Sequence, residues 1–123
     1  MVAAPPPPPA IVQRIAVHGH SLTFTFDRRP QRVTARFVTR AKLHDCASDH
    51  VVHLRGTAFV AVHFFPAQSA RRMGPYRRAG GPVTGAEKVC DFEADVGWAI
   101  GLVRRLPVHV SRAGATVTVT FGG

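Results

Sequence analysis

A chain of 123 residues carrying Lys+Arg 16 against Asp+Glu 7 is long enough for one domain and leaves little room for a second. Its hydrophobic fraction of 46% and charged fraction of 19% are ordinary for a folded protein and exclude disorder of the whole chain. The formal net charge of +9 favours polyanionic partners such as nucleic acid, anionic lipid or wall polymers, although arginine far above lysine (Lys42 and Lys88 are the only lysines) is also what a GC-rich genome encodes.

The first ten residues read as a leader or linker, and residues 11–123 as the domain. Pro5 to Pro9 is an uninterrupted proline run. Such a run forms a stiff polyproline II spacer without internal hydrogen bonds, so the leader is expected to be disordered. It carries no basic start and no apolar run of the ~7–15 residues that a signal peptide needs. Either the protein stays inside the cell, or Met1 is not the true start or follows a removed leader. The longest apolar stretches, such as Thr57 to Ala67, fall short of the ~20 residues that span a bilayer, so no membrane span is expected.

From Ile11 the apolar period is two. Leu22, Phe24 and Phe26 alternate with Thr23 and Thr25, the pattern of a strand with one buried face. Asp27-Arg28-Arg29-Pro30 supplies turn chemistry. Val33, Ala35 and Phe37 alternate with Thr34 and Arg36 in a second strand, and Val51 to Leu54 is a short third candidate. Thr57 to Phe65 is almost continuously apolar and stops at Pro66, which suits a central strand covered on both faces.

Arg71 to Gly85 lacks periodicity and is rich in Arg, Gly and Pro, so it reads as a long loop. Residues 87–105 carry two signals. Val89, Phe92, Val96, Ala99 and Val103 make a helical stripe, while Trp98, Ile100 and Leu102 make a strand face. Gly97 and Gly101 would each cost a helix interior about 1 kcal/mol, which favours strand. Leu106 to Ser111 and Thr116 to Phe121 form a hairpin around Arg112-Ala113-Gly114-Ala115. Many short strands and no firm helix point to an all-β sandwich or barrel.

Cys46 and Cys90 are the two cysteines. In an oxidising compartment they could pair, closing a loop of about 45 residues worth on the order of 4 kcal/mol by chain entropy. In the cytosol they would be two reduced thiols. Spacing alone leaves both open.

Several groups could carry chemistry. His18 and His20 share a strand face, and His44, Asp45, Cys46, Asp49 and His50 form a donor-rich cluster. Neither has the paired ligand spacing of a structural zinc site, so no metal and no cofactor is expected. Asp91, Glu93 and Asp95 would share one face of a strand but have no visible partner for acid–base hydrolysis. Ser21, Ser48, Ser69 and Ser111 lie outside any nucleophile-elbow context, and no phosphate-binding glycine loop occurs. No catalytic residues are expected, and the chain reads as a non-enzyme. The constellation that suits binding is Arg71, Arg72, Tyr76, Arg77 and Arg78, where guanidiniums grip an anion beside an aromatic. Trp98, the sole tryptophan, either belongs to the core or adds a stacking platform.

Taken in order, several segments resemble the AMIN-like domain of actinobacterial secreted proteins and lipoproteins. They are His18-Gly19 before Leu22 to Asp27, Val60-Ala61-Val62-His63-Phe64-Phe65-Pro66-Ala67, Asp91-Phe92-Glu93, Trp98-Ala99-Ile100-Gly101-Leu102, Leu106-Pro107-Val108-His109-Val110, and the last strand Thr116 to Phe121. The resemblance runs from about Ile11 to Phe121. It implies an antiparallel β-sandwich of two packed sheets and a non-catalytic module of the cell envelope or exterior. The implied ligand is peptidoglycan, another anionic wall polymer or an envelope protein. The same reading predicts an oxidised Cys46–Cys90 pair. Its rival is a cytoplasmic basic β-domain that binds nucleic acid, with reduced cysteines and a steep salt dependence.

Overall fold

The computed structural model describes residues 8–43, 46, 52–70, 72–78 and 80–122. The proline leader up to residue 7, with its expected disorder, lies outside them, as do Arg71 and the donor-rich residues His44, Asp45, Asp49 and His50.

Ten strands build the fold: β1 Ala10–Val17, β2 Ser21–Phe26, β3 Arg32–Val38, β4 Ala58–Phe65, β5 Ala67–Ser69, β6 Tyr76–Arg77, β7 Val83–Phe92, β8 Asp95–Leu102, β9 Val108–Ala113 and β10 Thr116–Phe121. The first sheet has the order β5-β1-β2-β10-β9 and the second β3-β4-β8-β7-β6. Every pairing is antiparallel except β1 with β5. The two sheets pack face to face, so the protein is the β-sandwich expected from its alternation.

The period of two decides which side chains meet. On β2 Leu22, Phe24 and Phe26 point inward, and on β10 Val117, Val119 and Phe121 do the same, all at most 3% exposed. Facing them in the second sheet are Val60, Val62 and Phe64 of β4 with Val96, Trp98, Ile100 and Leu102 of β8, all at 0%. Phe64 sits 4.8 Å from Phe24 and 4.9 Å from Phe26 between ring centroids, both inclined. Each such ring contributes about 1.5–3 kcal/mol through burial, with a smaller geometric term from the tilted contacts.

Residues 87–105 resolve to strand. β7 and β8 form a hairpin whose turn residues Glu93 and Ala94 have φ of 51° and 65°, the left-handed pair that a tight two-residue hairpin demands. β8 lies between β4 and β7, and both its faces require extended backbone. Three other expectations are corrected. Residues 52–55 are not a strand; they cross the outer face of the second sheet. The Arg71 to Gly85 loop is shorter than expected, because Tyr76–Arg77 pairs with Ala86 and Gly85 of β7. β4 is covered on both faces only over part of its length, since His63 and Phe65 reach the surface.

The covering segment explains the apolar outer positions of the second sheet. Leu43, Val52 and Leu54 pack on Phe59 and Ala99 as a second, smaller core. Arg40 donates to the carbonyl oxygens of Leu54 and Gly56, at 3.1 Å each, and its guanidinium lies 4.6 Å from the Phe59 ring centroid. These contacts close the base of the segment. Gly101 carries no side chain where the carbonyl of Arg55 and the hydroxyl of Thr84 approach, so the segment can rest directly on β8.

Candidate functional site

The structure distributes the residues singled out for binding between surface and core. Arg72, Arg77 and Arg78 are exposed. Trp98 is fully buried and therefore offers no platform to a ligand. Its indole contacts Phe24 edge-on at 6.0 Å and stacks on Tyr76 at 5.9 Å with 26° between planes. Tyr76 is half-buried and packs against the main core. The alternation that makes β8 a strand also turns Trp98 inward, together with Val96 and Ile100.

Arg77 and Arg78 do not converge. Arg77 shares a shallow basin of about 320 Å³ with Arg40, His53, Leu54 and Arg55. Arg78 reaches the other way, toward Gly19 in the β1–β2 turn, where a Cβ would sit 3.5 Å from its Nη2. Arg40 and Arg55 are far from Arg77 in sequence, and only the crossing segment brings them beside it.

Cys46 and Cys90 are joined by a disulfide, with Cα atoms 5.2 Å apart. The backbone N–H of Cys46 also donates to the carbonyl of Val89 at 2.9 Å. The bridge fastens Cys46 to β7 and removes it from the donor-rich cluster as a thiolate. His18 and His20 lie in the β1–β2 turn and not on a strand face. Among the described residues no group of three His, Cys, Asp or Glu could hold a metal. The three alternating carboxylates are separated by the hairpin turn. Asp91 pairs with Lys88 at 3.3 Å, while Asp95 on the next strand meets His63.

Sequence reasoning missed the outer face of the second sheet. Its cross-strand rows are set by register. At the end nearest the β7–β8 turn the row is Arg32, Phe65, Asp95 and Phe92; the next is Thr34, His63, Gly97 and Cys90; the third begins Arg36, Ala61 and Ala99. Small residues along β8 leave this face concave. One groove of about 560 Å³ lies over Ala61 and Ala99, flanked by Arg36, Lys42, Leu43 and His63. It runs into a cup of about 420 Å³ lined by Arg32, Thr34, Arg36, His63, Phe65 and Asp95.

His63 is seated in that cup. Its Nδ1 lies 3.0 Å from Asp95 Oδ1, with the two side chains 31% and 41% exposed. A Cβ on Gly97 would fall 2.6 Å from His63 Cε1 and 2.8 Å from Nδ1, so the ring occupies the space that glycine leaves. With Nδ1 turned to Asp95, Nε2 is the ring nitrogen left for a ligand. A single-sequence signal existed for this site in the alternation of Arg32, Thr34 and Arg36 on the face opposite Val33 and Ala35. The partners from β4 and β8 required the register.

Comparison with protein-family models, with curated proteins and with solved structures finds no match to this chain.

Proposed function

We propose that the chain is a non-catalytic binding module of the cell envelope, with an anionic wall polymer or an envelope protein as its ligand. The observation that carries the reading is the Cys46–Cys90 disulfide, which closes a separation of 44 residues. Disulfides persist in oxidising compartments and are rare in the cytosol. The bridge therefore weighs against the rival reading of a cytoplasmic nucleic-acid binder. The cation excess of the sequence supports an anionic ligand, and so do the exposed guanidiniums of Arg72, Arg77 and Arg78 on a rigid sandwich. The AMIN-like resemblance points the same way. The described polar groups suit binding better than bond breaking, because the His63–Asp95 pair stands beside arginines and a phenylalanine, and both cysteines are held in the bridge. No helix among the described residues is long and apolar enough to cross a membrane.

Co-sedimentation with insoluble peptidoglycan sacculi at physiological salt tests the reading. The protein is expected in the pellet, undisplaced by duplex DNA, with retention weakened in an Arg72→Ala/Arg77→Ala/Arg78→Ala variant. Protein that stays in the supernatant, or that duplex DNA strips off readily, would sink the wall-polymer form of the proposal.

A further inference from the structure

The cup at the end of the second sheet has a composition that neither a fold requirement nor bulk charge explains. Phe65 is 42% exposed, whereas Phe64 beside it is at 0%. The Arg32 guanidinium carbon lies 5.7 Å from the Phe65 ring centroid, at the margin of a cation–π contact. Across β4 from Arg32 stands Asp95, an acceptor, held to His63. Thr34, the cross-strand partner of His63, adds a hydroxyl that both donates and accepts. Arg36 closes the side toward the longer groove.

Each neighbour narrows the ligand. A polyphosphate would be drawn by Arg32 and Arg36 but repelled by Asp95. A purely apolar ligand would strip water from five polar side chains without replacing their hydrogen bonds. A sugar ring satisfies the whole set. One face of the ring presents C–H groups to Phe65, its hydroxyls donate to Asp95 and exchange hydrogen bonds with Thr34 and His63 Nε2, and a carboxylate on the ring is gripped by a guanidinium fork. The volume of about 420 Å³ falls within the ~300–1,000 Å³ typical of small-molecule sites. Phe92, 54% exposed at the far end of the same row, lies where a second ring of the chain would pass.

We propose that the cup formed by Arg32, Thr34, Arg36, His63, Phe65 and Asp95 binds a carboxylate-bearing sugar unit. The proposal rests on the wall-polymer reading and names the site and the sugar class. It places the sugar subsite on the outer sheet face and leaves Arg72, Arg77 and Arg78 as a general attraction for the charge of the polymer.

The test is a titration of the full chain, followed by amide and aromatic NMR shifts, with N-acetylmuramic acid and with N-acetylglucosamine. The two sugars differ in the carboxylate-bearing lactyl group. The acid is expected to shift His63, Phe65 and Asp95 and to bind at least about tenfold more tightly than the neutral sugar, the discrimination a charged hydrogen bond supplies. Phe65→Ala and Arg32→Ala should each weaken it by about tenfold or more, and Gly97→Ala should do so by displacing the His63 ring. Equal binding of the two sugars, no response to either, or shifts confined to the Arg72–Arg78 loop would overturn the proposal. The comparison of sugars on the unaltered chain stands even where a variant fails to fold. If sacculi retain the chain but the acid gives no shift, the subsite fails and the wall reading survives. If sacculi do not retain it, the wall reading fails by itself, and the sugar titration still decides the cup.

Discussion

Two aromatic residues show how position on a strand outweighs residue type. Trp98 and Phe65 are both large and apolar, yet the first is wholly buried and the second is 42% exposed. The difference is parity: Trp98 shares the inward face of β8 with Val96 and Ile100, whereas Phe65 falls on the outward face of β4 beyond the reach of the crossing segment. Trp98 bridges Phe24 of the opposite sheet and Tyr76 of the edge strand. Trp98→Ala is therefore expected to lower the unfolding free energy by about 3–5 kcal/mol, the cost of emptying a large core site. Arg77→Ala, at an exposed position, should stay within about 0.5 kcal/mol. Urea unfolding followed by far-ultraviolet circular dichroism measures both, since the variant loses the only indole. A loss under 1 kcal/mol for Trp98→Ala would contradict the core assignment.

Among the elements, the β7–β8 hairpin carries the clearest local conflict. Glu93 and Ala94 both sit at positive φ, which costs a non-glycine residue roughly 1–2 kcal/mol. The turn is retained because β7 and β8 are held on both sides, and because the carbonyl of Ala94 accepts a bond from the N–H of Ala67 at 2.8 Å. Ala94→Gly keeps the turn and removes the steric term, at the expense of greater freedom in the unfolded chain. The net expectation is a gain of about 0.5–1 kcal/mol, read as a rise in thermal midpoint; a fall would mean that the turn is not left-handed at this residue. The same turn dissolves the three-carboxylate face that simple alternation suggests, because it reverses the chain between Asp91 and Asp95.

At the level of the whole molecule, the disulfide joins two layers that sequence places far apart. The main sandwich core does not include Leu43, Val52 or Leu54, which cluster separately on the outer face. Reduction should therefore cost about 2–4 kcal/mol in global stability and loosen the crossing segment first. In hydrogen exchange under reducing conditions, the amide of Val52, bonded to the carbonyl of Leu43, is expected to lose protection before the amides of β2 and β10. Simultaneous loss in all three would show that segment and sandwich unfold as one unit.

Alternation by itself determined much of this protein. The apolar parity of Leu22 to Phe26, Val33 to Phe37 and Thr116 to Phe121 sufficed to place strands and their buried faces, because a two-residue period admits only one way to hide those side chains. Glycines at 97 and 101 were enough to favour strand over helix in the ambiguous stretch. Turn geometry, the placement of residues 52–55 and the pairing of Cys46 with Cys90 were left open, since each depends on contacts made across long separations. The candidate site was the least legible part. Arg32, His63 and Asp95 come from three strands, and nothing in any one segment joins it to the other two. Register alone brings them into one cup, and only the tertiary structure sets that register, by packing the two sheets and laying the bridged segment across part of the second.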